Sequence, residues 1–198
     1  VRLRVLPFKL LTPPDMVWGV YSRLHVPPQS RYPMDLMVRY LEDMKNYGVT
    51  ALHCTIGTES GVKRFQEARQ RAGMNGPLIV YGMNAEKVAA ARCGADPNDK
   101  RWFENPKIRE AFTAYIREFD AWIKKYGAPG YNEWYYMGAD EPHIRLMETA
   151  IWQNRLAREA GVKTASCVYA PRYVAEMADC LDLSCNSFIA NNASTWNE

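Results

Sequence analysis

Short apolar runs and longer amphipathic stretches alternate along this chain. The runs predict strands at 16–24, 50–56, 78–83, 133–142, 163–169 and 181–189. The amphipathic stretches predict helices at 33–47, 62–72, 86–92, 107–126, 144–160 and 172–178. Glycines such as Gly48, Gly127 and Gly161 end several of these helices just before the next strand. This repeated order of helix, glycine and strand favours parallel βαβ units.

Two parallel architectures fit such an alternation, an open doubly wound sheet and a (β/α)8 barrel. No glycine-rich phosphate loop follows the first predicted strand, which weighs against the nucleotide-binding open sheet. A full barrel takes about 250 residues, whereas this chain has 198. We therefore predict a partial (β/α)8 TIM-type barrel of about six parallel βα units.

The chain is expected to be a fragment of a longer protein, since it begins at Val1 without a methionine and stops just after a predicted strand. Residues 1–14 end in Thr12-Pro13-Pro14 and are predicted to be the end of a preceding domain and a linker. Residues 15–198 would form the barrel, incomplete at its C-terminal end.

Two predicted helices show clear apolar faces. The apolar face of helix 107–126 is formed by Ile108, Phe112, Tyr115, Ile116, Phe119 and Ile123. The apolar face of helix 33–47 is formed by Leu36, Tyr40, Leu41 and Met44.

The composition and charge of the chain narrow the classes of protein to which it can belong. The chain is 47% hydrophobic, and its net charge of +3 comes from 25 basic and 22 acidic residues scattered along it. This distribution lacks the basic stripe typical of nucleic-acid binding. No run approaches the roughly 20 apolar residues that span a bilayer. We therefore expect a globular protein with neither a nucleic-acid partner nor a membrane span.

The cysteines and histidines do not form a known metal or nucleophile motif. The five cysteines contain no CxxC pair, so neither a zinc site nor another metal site is expected. Cys54, Cys167 and Cys185 lie in predicted strands and are expected to be core thiols, while the spacing of Cys180 and Cys185 permits a disulfide. A G-x-S-x-G elbow is also missing, so a serine triad is unsupported.

An aromatic strand ends at two adjacent acids and a proline, Asp140-Glu141-Pro142. Pro142 should end the strand ladder here. In α/β barrels the chemistry lies at this carboxyl end of the strands, and two neighbouring carboxylates there suit a catalytic site. The alternative is structural, with Asp140 capping a helix that begins near Pro142 and Glu141 solvated.

The other predicted strand ends carry aromatic and polar side chains that should converge on the same mouth. These candidate ligand-binding residues are Tyr21, Arg23, His53, Asn84, Tyr169 and Asn186. Rings offer stacking surfaces and amides offer hydrogen bonds, so the set suits a neutral polyhydroxylated ligand such as a sugar. The structural alternative for each tyrosine is a core position with its hydroxyl satisfied.

Several segments together resemble the catalytic domain of glycoside hydrolase family 123 and its uncharacterised relatives. These segments are Leu6-Pro7-Phe8, Gly19-Val20-Tyr21, 43–50 (DMKNYGVT), the 136–142 strand ending in Asp-Glu-Pro, and 157–163 (AREAGVK). The resemblance implies a (β/α)8 barrel that follows a β-sandwich domain. Residues 1–14 would then be the end of that β-sandwich and the linker to the barrel. The resemblance also implies a secreted or periplasmic location.

The resemblance further implies cleavage of β-linked N-acetylgalactosamine by substrate-assisted catalysis, in which the substrate's acetamido oxygen replaces an enzymatic nucleophile. Glu141 would then be the general acid and base, and Asp140 would accept the acetamido N–H and orient its carbonyl oxygen. No cofactor is expected. Since the seventh and eighth strands are missing from the predicted fragment, this expectation applies to the intact enzyme.

Two alternatives remain open at this point. One is a conventional retaining glycosidase, with Glu141 as acid and base and its nucleophile in the missing part. The other is a carbohydrate-binding barrel that does not turn over its ligand. Such retaining barrels commonly carry Asn before the acid of the fourth strand, and Asp140 at this position favours the acetamido mechanism.

Overall fold

The computed structural model describes residues 17–21, 32–81, 83–140, 142, 146–168 and 171–186. Strands and helices alternate through these residues. The strands are β1 (Gly19–Tyr21), β2 (Ala51–Thr55), β3 (Leu78–Tyr81), β4 (Trp134–Met137), β5 (Lys163–Val168) and β6 (Leu183–Asn186). The helices are α1 (Met34–Asn46), α2 (Glu59–Ala72), α3 (Ala85–Arg92), a 3-10 helix (Trp102–Glu104), α4 (Pro106–Tyr126), α5 (Met147–Glu159) and α6 (Pro171–Met177). Residues 1–14, which are predicted to be the end of a preceding domain and a linker, lie outside the described residues.

The six strands form one sheet in the sequential order β1 to β6, and every neighbouring pair is parallel. Helices connect the strands, and the sheet curls into a half-barrel. In register, Tyr21 lies beside His53, and Tyr81 lies beside Met137. The prediction of about six parallel βα units in sequence order is therefore confirmed for the described residues.

The longest helix, α4, matches its predicted face. It begins after Asn105, whose side chain accepts a hydrogen bond from the Lys107 N–H at 3.1 Å, and Pro106 occupies the first turn. All six predicted apolar residues are buried: Ile108, Phe112, Tyr115, Ile116, Phe119 and Ile123. These side chains anchor the main core, which lies between the sheet and the helices.

The predicted face of α1 is partly wrong. Leu41 is buried, but Leu36 and Tyr40 are 49% and 46% exposed, and the buried face also contains Met37 and Val38. The reason is that α1 packs mainly against α2, so that only the narrow stripe of Met37, Val38 and Leu41 is buried. A helix next to the edge of the sheet buries less than its apolar pattern allows.

The helix after the acid-bearing strand begins later than predicted. α5 starts at Met147, its N-cap residue is Leu146, and no side chain caps it. Asp140 therefore does not cap α5, and a helix that begins near Pro142 stays untested because residues 143–145 lie outside the described residues. The 3-10 helix Trp102–Glu104 was also absent from the sequence prediction, because it falls in a short segment without periodicity.

The two faces of the sheet differ. On the outer face Leu52, Val80 and Tyr136 join the main core under the helices. On the inner face Ile79, Met137 and Ala165 form a smaller cluster. Because side chains alternate along each strand, the inner residues of β3 and β4 lead upward to the carboxyl edge of the sheet, at Tyr81 and the residues after Met137.

Cys54 and Cys180 are buried free thiols, so the disulfide that the spacing of Cys180 and Cys185 permits is not formed. Cys167 is half-buried against the inner cluster. No helix within the described part of the chain is long and apolar enough to cross a membrane.

Candidate functional site

Asp140 lies at the carboxyl edge of the sheet. β4 ends at Met137, Gly138 and Ala139 follow without regular structure, and Asp140 then forms an isolated parallel bridge with Cys167 of β5. The chain thus passes from β4 toward β5 before Asp140, whose side chain is exposed. This places the acid where α/β barrels carry their chemistry. Glu141 lies outside the described residues.

His53 lies in the middle of β2. It is 8% exposed, and its ring meets that of Tyr81 edge-on, with the centroids 5.8 Å apart and an interplanar angle of 73°. Burial lowers the pKa of His53 below its ordinary value, and the negative charge of Asp140 opposes this effect. His53, in the middle of β2, therefore lies near Tyr81 and Asp140 at the carboxyl ends of β3 and β4, and burial favours its neutral imidazole.

A cavity of about 460 Å³ opens beside the ends of β3 and β4. Its volume lies within the range of small-molecule sites. Its wall combines carboxylates, amides, lysines and aromatic rings. The residues that line it are Tyr81, Glu86, Lys87, Pro97, Asn98, Asp99, Lys100, Trp102, Gly138, Ala139, Asp140, Leu146, Thr149, Ala150 and Gln153.

Glu86, in the first turn of α3, is the half-buried carboxyl of this cavity. Burial raises the pKa of Glu86 above its ordinary value, which favours the protonated form. Gln153 Nε2 of α5 donates a hydrogen bond to Glu86 Oε2 at 3.4 Å. Burial raises the pKa of the Tyr136 phenol well above its usual value, and the negative charge of Glu86 adds to this effect.

Gly138 allows this part of the wall to close. A Cβ atom at position 138 would lie 2.5 Å from Gln153 Oε1 and 2.6 Å from the Tyr136 hydroxyl oxygen. Such distances are below any ordinary contact, so β4 and α5 can approach each other here only because residue 138 has no side chain. The glycine therefore sets the position of Gln153 in the cavity.

Of the predicted site residues, Asp140 lines the cavity, whereas His53 and Asn84 do not. Asn84 is exposed at the N-cap of α3 with a left-handed backbone, φ +50°, a conformation that asparagine tolerates better than most residues. Arg23 and Tyr169 lie outside the described residues. Tyr21 and Asn186 are described by their backbone alone, each at the carboxyl end of its strand.

Sequence reasoning missed Glu86, Trp102, Gly138 and Gln153. Glu86 had a usable signal, since it follows the third predicted strand by one helical turn, where barrels often place functional groups. Trp102 and Gln153 had none, because each lies in a helical segment and reaches the cavity only through tertiary packing. Among the described residues, no three His, Cys, Asp or Glu side chains come together in a set that could hold a metal ion.

No protein-family model matches the chain, and a comparison with curated proteins finds no match. The resemblance to glycoside hydrolase family 123 therefore stays a prediction that rests on the residues quoted above.

Proposed function

We propose that this protein is a glycoside hydrolase that cleaves β-linked N-acetylhexosaminides of the N-acetylgalactosamine type, and that its half-barrel is part of a (β/α)8 barrel. The observation that carries the proposal is the position of Asp140, at the carboxyl end of β4 and in the wall of the cavity. An acid in this position can serve a ligand at a barrel mouth.

The cavity wall supports a sugar as the ligand. Tyr81 and Trp102 offer ring surfaces for the C–H faces of a pyranose, while Asn98 and Gln153 offer amides for its hydroxyls. Lys87 and Lys100 balance the acids Asp99 and Asp140 in the same wall. A site with this mixture suits a neutral polyhydroxylated molecule better than a strongly charged one.

In the proposed mechanism the two adjacent acids have separate roles. Glu141 donates a proton to the glycosidic oxygen as the bond to the anomeric carbon breaks. The carbonyl oxygen of the substrate's own acetamide attacks that carbon and forms an oxazolinium ion, so no enzymatic nucleophile is required. Asp140 accepts the acetamido N–H, which orients the carbonyl and stabilises the developing positive charge. Glu141 then deprotonates the water that opens the ring.

The proposal is tested on the intact enzyme with two substrates, 4-nitrophenyl and methyl N-acetyl-β-galactosaminide. Glu141→Gln removes the proton donor, so the methyl glycoside should lose far more rate than the nitrophenyl glycoside, whose leaving group needs little protonation. Asp140→Asn should slow both substrates on the order of 100-fold or more, because it removes a preorganised electrostatic contact. The matched control is Asp35→Asn. Asp35 is an exposed acid on α1 that pairs with Arg71 of α2, and its replacement should leave both rates unchanged.

Two results would refute the mechanism. One is an equal rate loss for both leaving groups with Glu141→Gln. The other is efficient hydrolysis of 4-nitrophenyl β-galactoside, which carries a hydroxyl in place of the acetamide. Saturable binding of N-acetylgalactosamine without turnover of any substrate would indicate a carbohydrate-binding barrel instead.

A further inference from the structure

Two buried polar atoms in the cavity wall have no hydrogen-bond partner among the described residues, namely Gln153 Oε1 and Trp102 Nε1. Their side chains are only 5% and 3% exposed, and both line the cavity. One of these atoms is an acceptor and the other a donor. A buried polar atom without a partner costs free energy in the folded protein, so such atoms occur where something other than folding requires them.

The orientation of Gln153 is fixed from two sides. Its Nε2 donates a hydrogen bond to Glu86 Oε2 at 3.4 Å, which places the amide nitrogen on that side. Its Oε1 then lies next to the Cα of Gly138, at a place where even a methyl group would collide with it. The acceptor is therefore held in the wall between β4 and α5.

Trp102 is held equally firmly. Its ring stacks on Phe112 of α4, with centroids 5.1 Å apart and an interplanar angle of 22°, and meets Phe103 edge-on at 6.1 Å. These contacts fix the direction of the indole N–H. The unpartnered Nε of the buried Arg69, in contrast, lies in α2, away from this cavity.

We propose that Glu86, Gln153 and Trp102 form a binding subsite for an uncharged ligand group that both donates and accepts a hydrogen bond, either a sugar hydroxyl or an acetamide. The group donates to Gln153 Oε1 and accepts from Trp102 Nε1. Identification of the ligand as a sugar rests on the proposed function, whereas the hydrogen-bonding chemistry follows from the wall itself.

A neutral group fits this wall better than an ion. Each partner atom is an uncharged dipole, and the carboxyl that supports Gln153 is itself shifted toward its neutral form by burial, since its pKa is raised. A charged ligand group would lose its hydration here without meeting a full opposite charge.

The test is equilibrium binding of N-acetylgalactosamine and of galactose to the full chain, measured by titration calorimetry together with the melting temperature. Trp102→Phe keeps a ring against Phe112 but removes the N–H, and Gln153→Met keeps the length of the side chain but removes the acceptor together with the Nε2 donor to Glu86. Each substitution should weaken binding about tenfold, the effect of losing one hydrogen bond of about 1.4 kcal/mol. Both substitutions alter buried side chains, so the melting temperature is used to confirm that each variant is folded before its affinity is compared with the wild type.

The matched control is Trp122→Phe. Trp122 lies in α4 against Tyr115 and Phe119 and does not line the cavity. It should leave the affinity for both sugars unchanged. If the acetamide occupies the subsite, only N-acetylgalactosamine loses affinity in the two cavity variants. If a hydroxyl occupies it, galactose loses affinity as well.

Three results would overturn the subsite: wild-type binding of neither sugar at millimolar concentration, unchanged affinity in both folded cavity variants, or an equal loss in the control. Unchanged affinity would mean that water alone satisfies these two atoms. The proposed function fails separately, since tight binding without hydrolysis of any glycoside would refute the hydrolase and leave the subsite intact. Hydrolysis with unchanged KM in the two variants would refute the subsite alone.

Discussion

Two buried polar clusters lie at opposite edges of the sheet and are built differently. At the amino edge, Arg69 Nη1 donates to Gln66 Oε1 at 2.8 Å and to the Tyr131 carbonyl at 3.2 Å, while its Nη2 donates to the Gly76 carbonyl. Gln66 Nε2 adds a hydrogen bond to the same Tyr131 carbonyl at 3.1 Å. At the carboxyl edge, the one side-chain hydrogen bond within the group Glu86, Gln153 and Trp102 measures 3.4 Å, and two of its atoms have no partner in the described part of the chain.

The difference separates a structural cluster from a binding cluster. The amino-edge group fastens the segments that enter β3 and β4, because Gly76 and Tyr131 lie just before those strands. In the carboxyl-edge group, by contrast, two polar atoms have no partner among the described residues, and their side chains line the cavity. Parallel barrels divide stability and chemistry between their two edges in the same way. Substitutions at the two edges should therefore change different quantities.

The largest expected effect is on stability at the amino edge. Arg69→Ala removes a fully buried side chain and leaves the Gly76 carbonyl without its buried donor, so the free energy of unfolding should fall by about 4 kcal/mol. Arg71→Ala, two residues further along α2, breaks an exposed ion pair with Asp35 at 2.6 Å and should cost less than about 1 kcal/mol. Urea denaturation of both variants measures the difference. Similar losses would show that the amino-edge cluster does not stabilise the fold.

A smaller effect is expected at Gly138. Gly138→Ala forces Gln153 and Tyr136 apart and should lower the free energy of unfolding by about 2 kcal/mol. Gly57→Ala, which follows β2 in a similar position, is the control, because its nearest neighbour would be the Met83 carbonyl oxygen at 3.4 Å. Equal unfolding midpoints for the two variants would contradict the close contact between β4 and α5.

The smallest expected effect is the pH dependence of Glu86→Gln. The pKa of Glu86 is raised in the folded protein above its ordinary value of 4.5, so the stability that Glu86 contributes is complete below pH 4.5 and is lost as the pH rises through the folded pKa. Since Gln does not ionise, the stability of Glu86→Gln relative to the wild type should increase over that pH interval. Denaturation curves from pH 4 upward test the sign.

Glu42→Gln, on the exposed surface of α1, serves as the control for this series. Its unfolding free energy should follow that of the wild type at each pH. A relative stability of Glu86→Gln that stays level or falls with pH would contradict the burial of the Glu86 carboxyl.

The fold was more predictable than the site. The pattern along the chain predicts the sheet order and the whole buried face of α4, because periodicity reports directly which side of a central helix is covered. The same pattern misplaces Leu36 and Tyr40 on α1, since how much of an edge helix is covered depends on its neighbours. Asp140 was found because proline and aromatic residues mark a strand end. Trp102 and Gln153 were not, because their approach depends on the packing of α4 and α5.

The β3–β4 pair has a consequence for folding. Leu78 pairs with Trp134, and the chain between them contains α3, the 3-10 helix and all of α4, which makes it the longest excursion between adjacent strands. Closing a long loop costs more chain entropy than closing a short one. The cavity opens at this same seam, with α3 on one side and α5 on the other. Of the described strand pairs, β3–β4 is therefore the most costly to close. A bound ligand would stabilise this pair and slow the separation of the third and fourth strands.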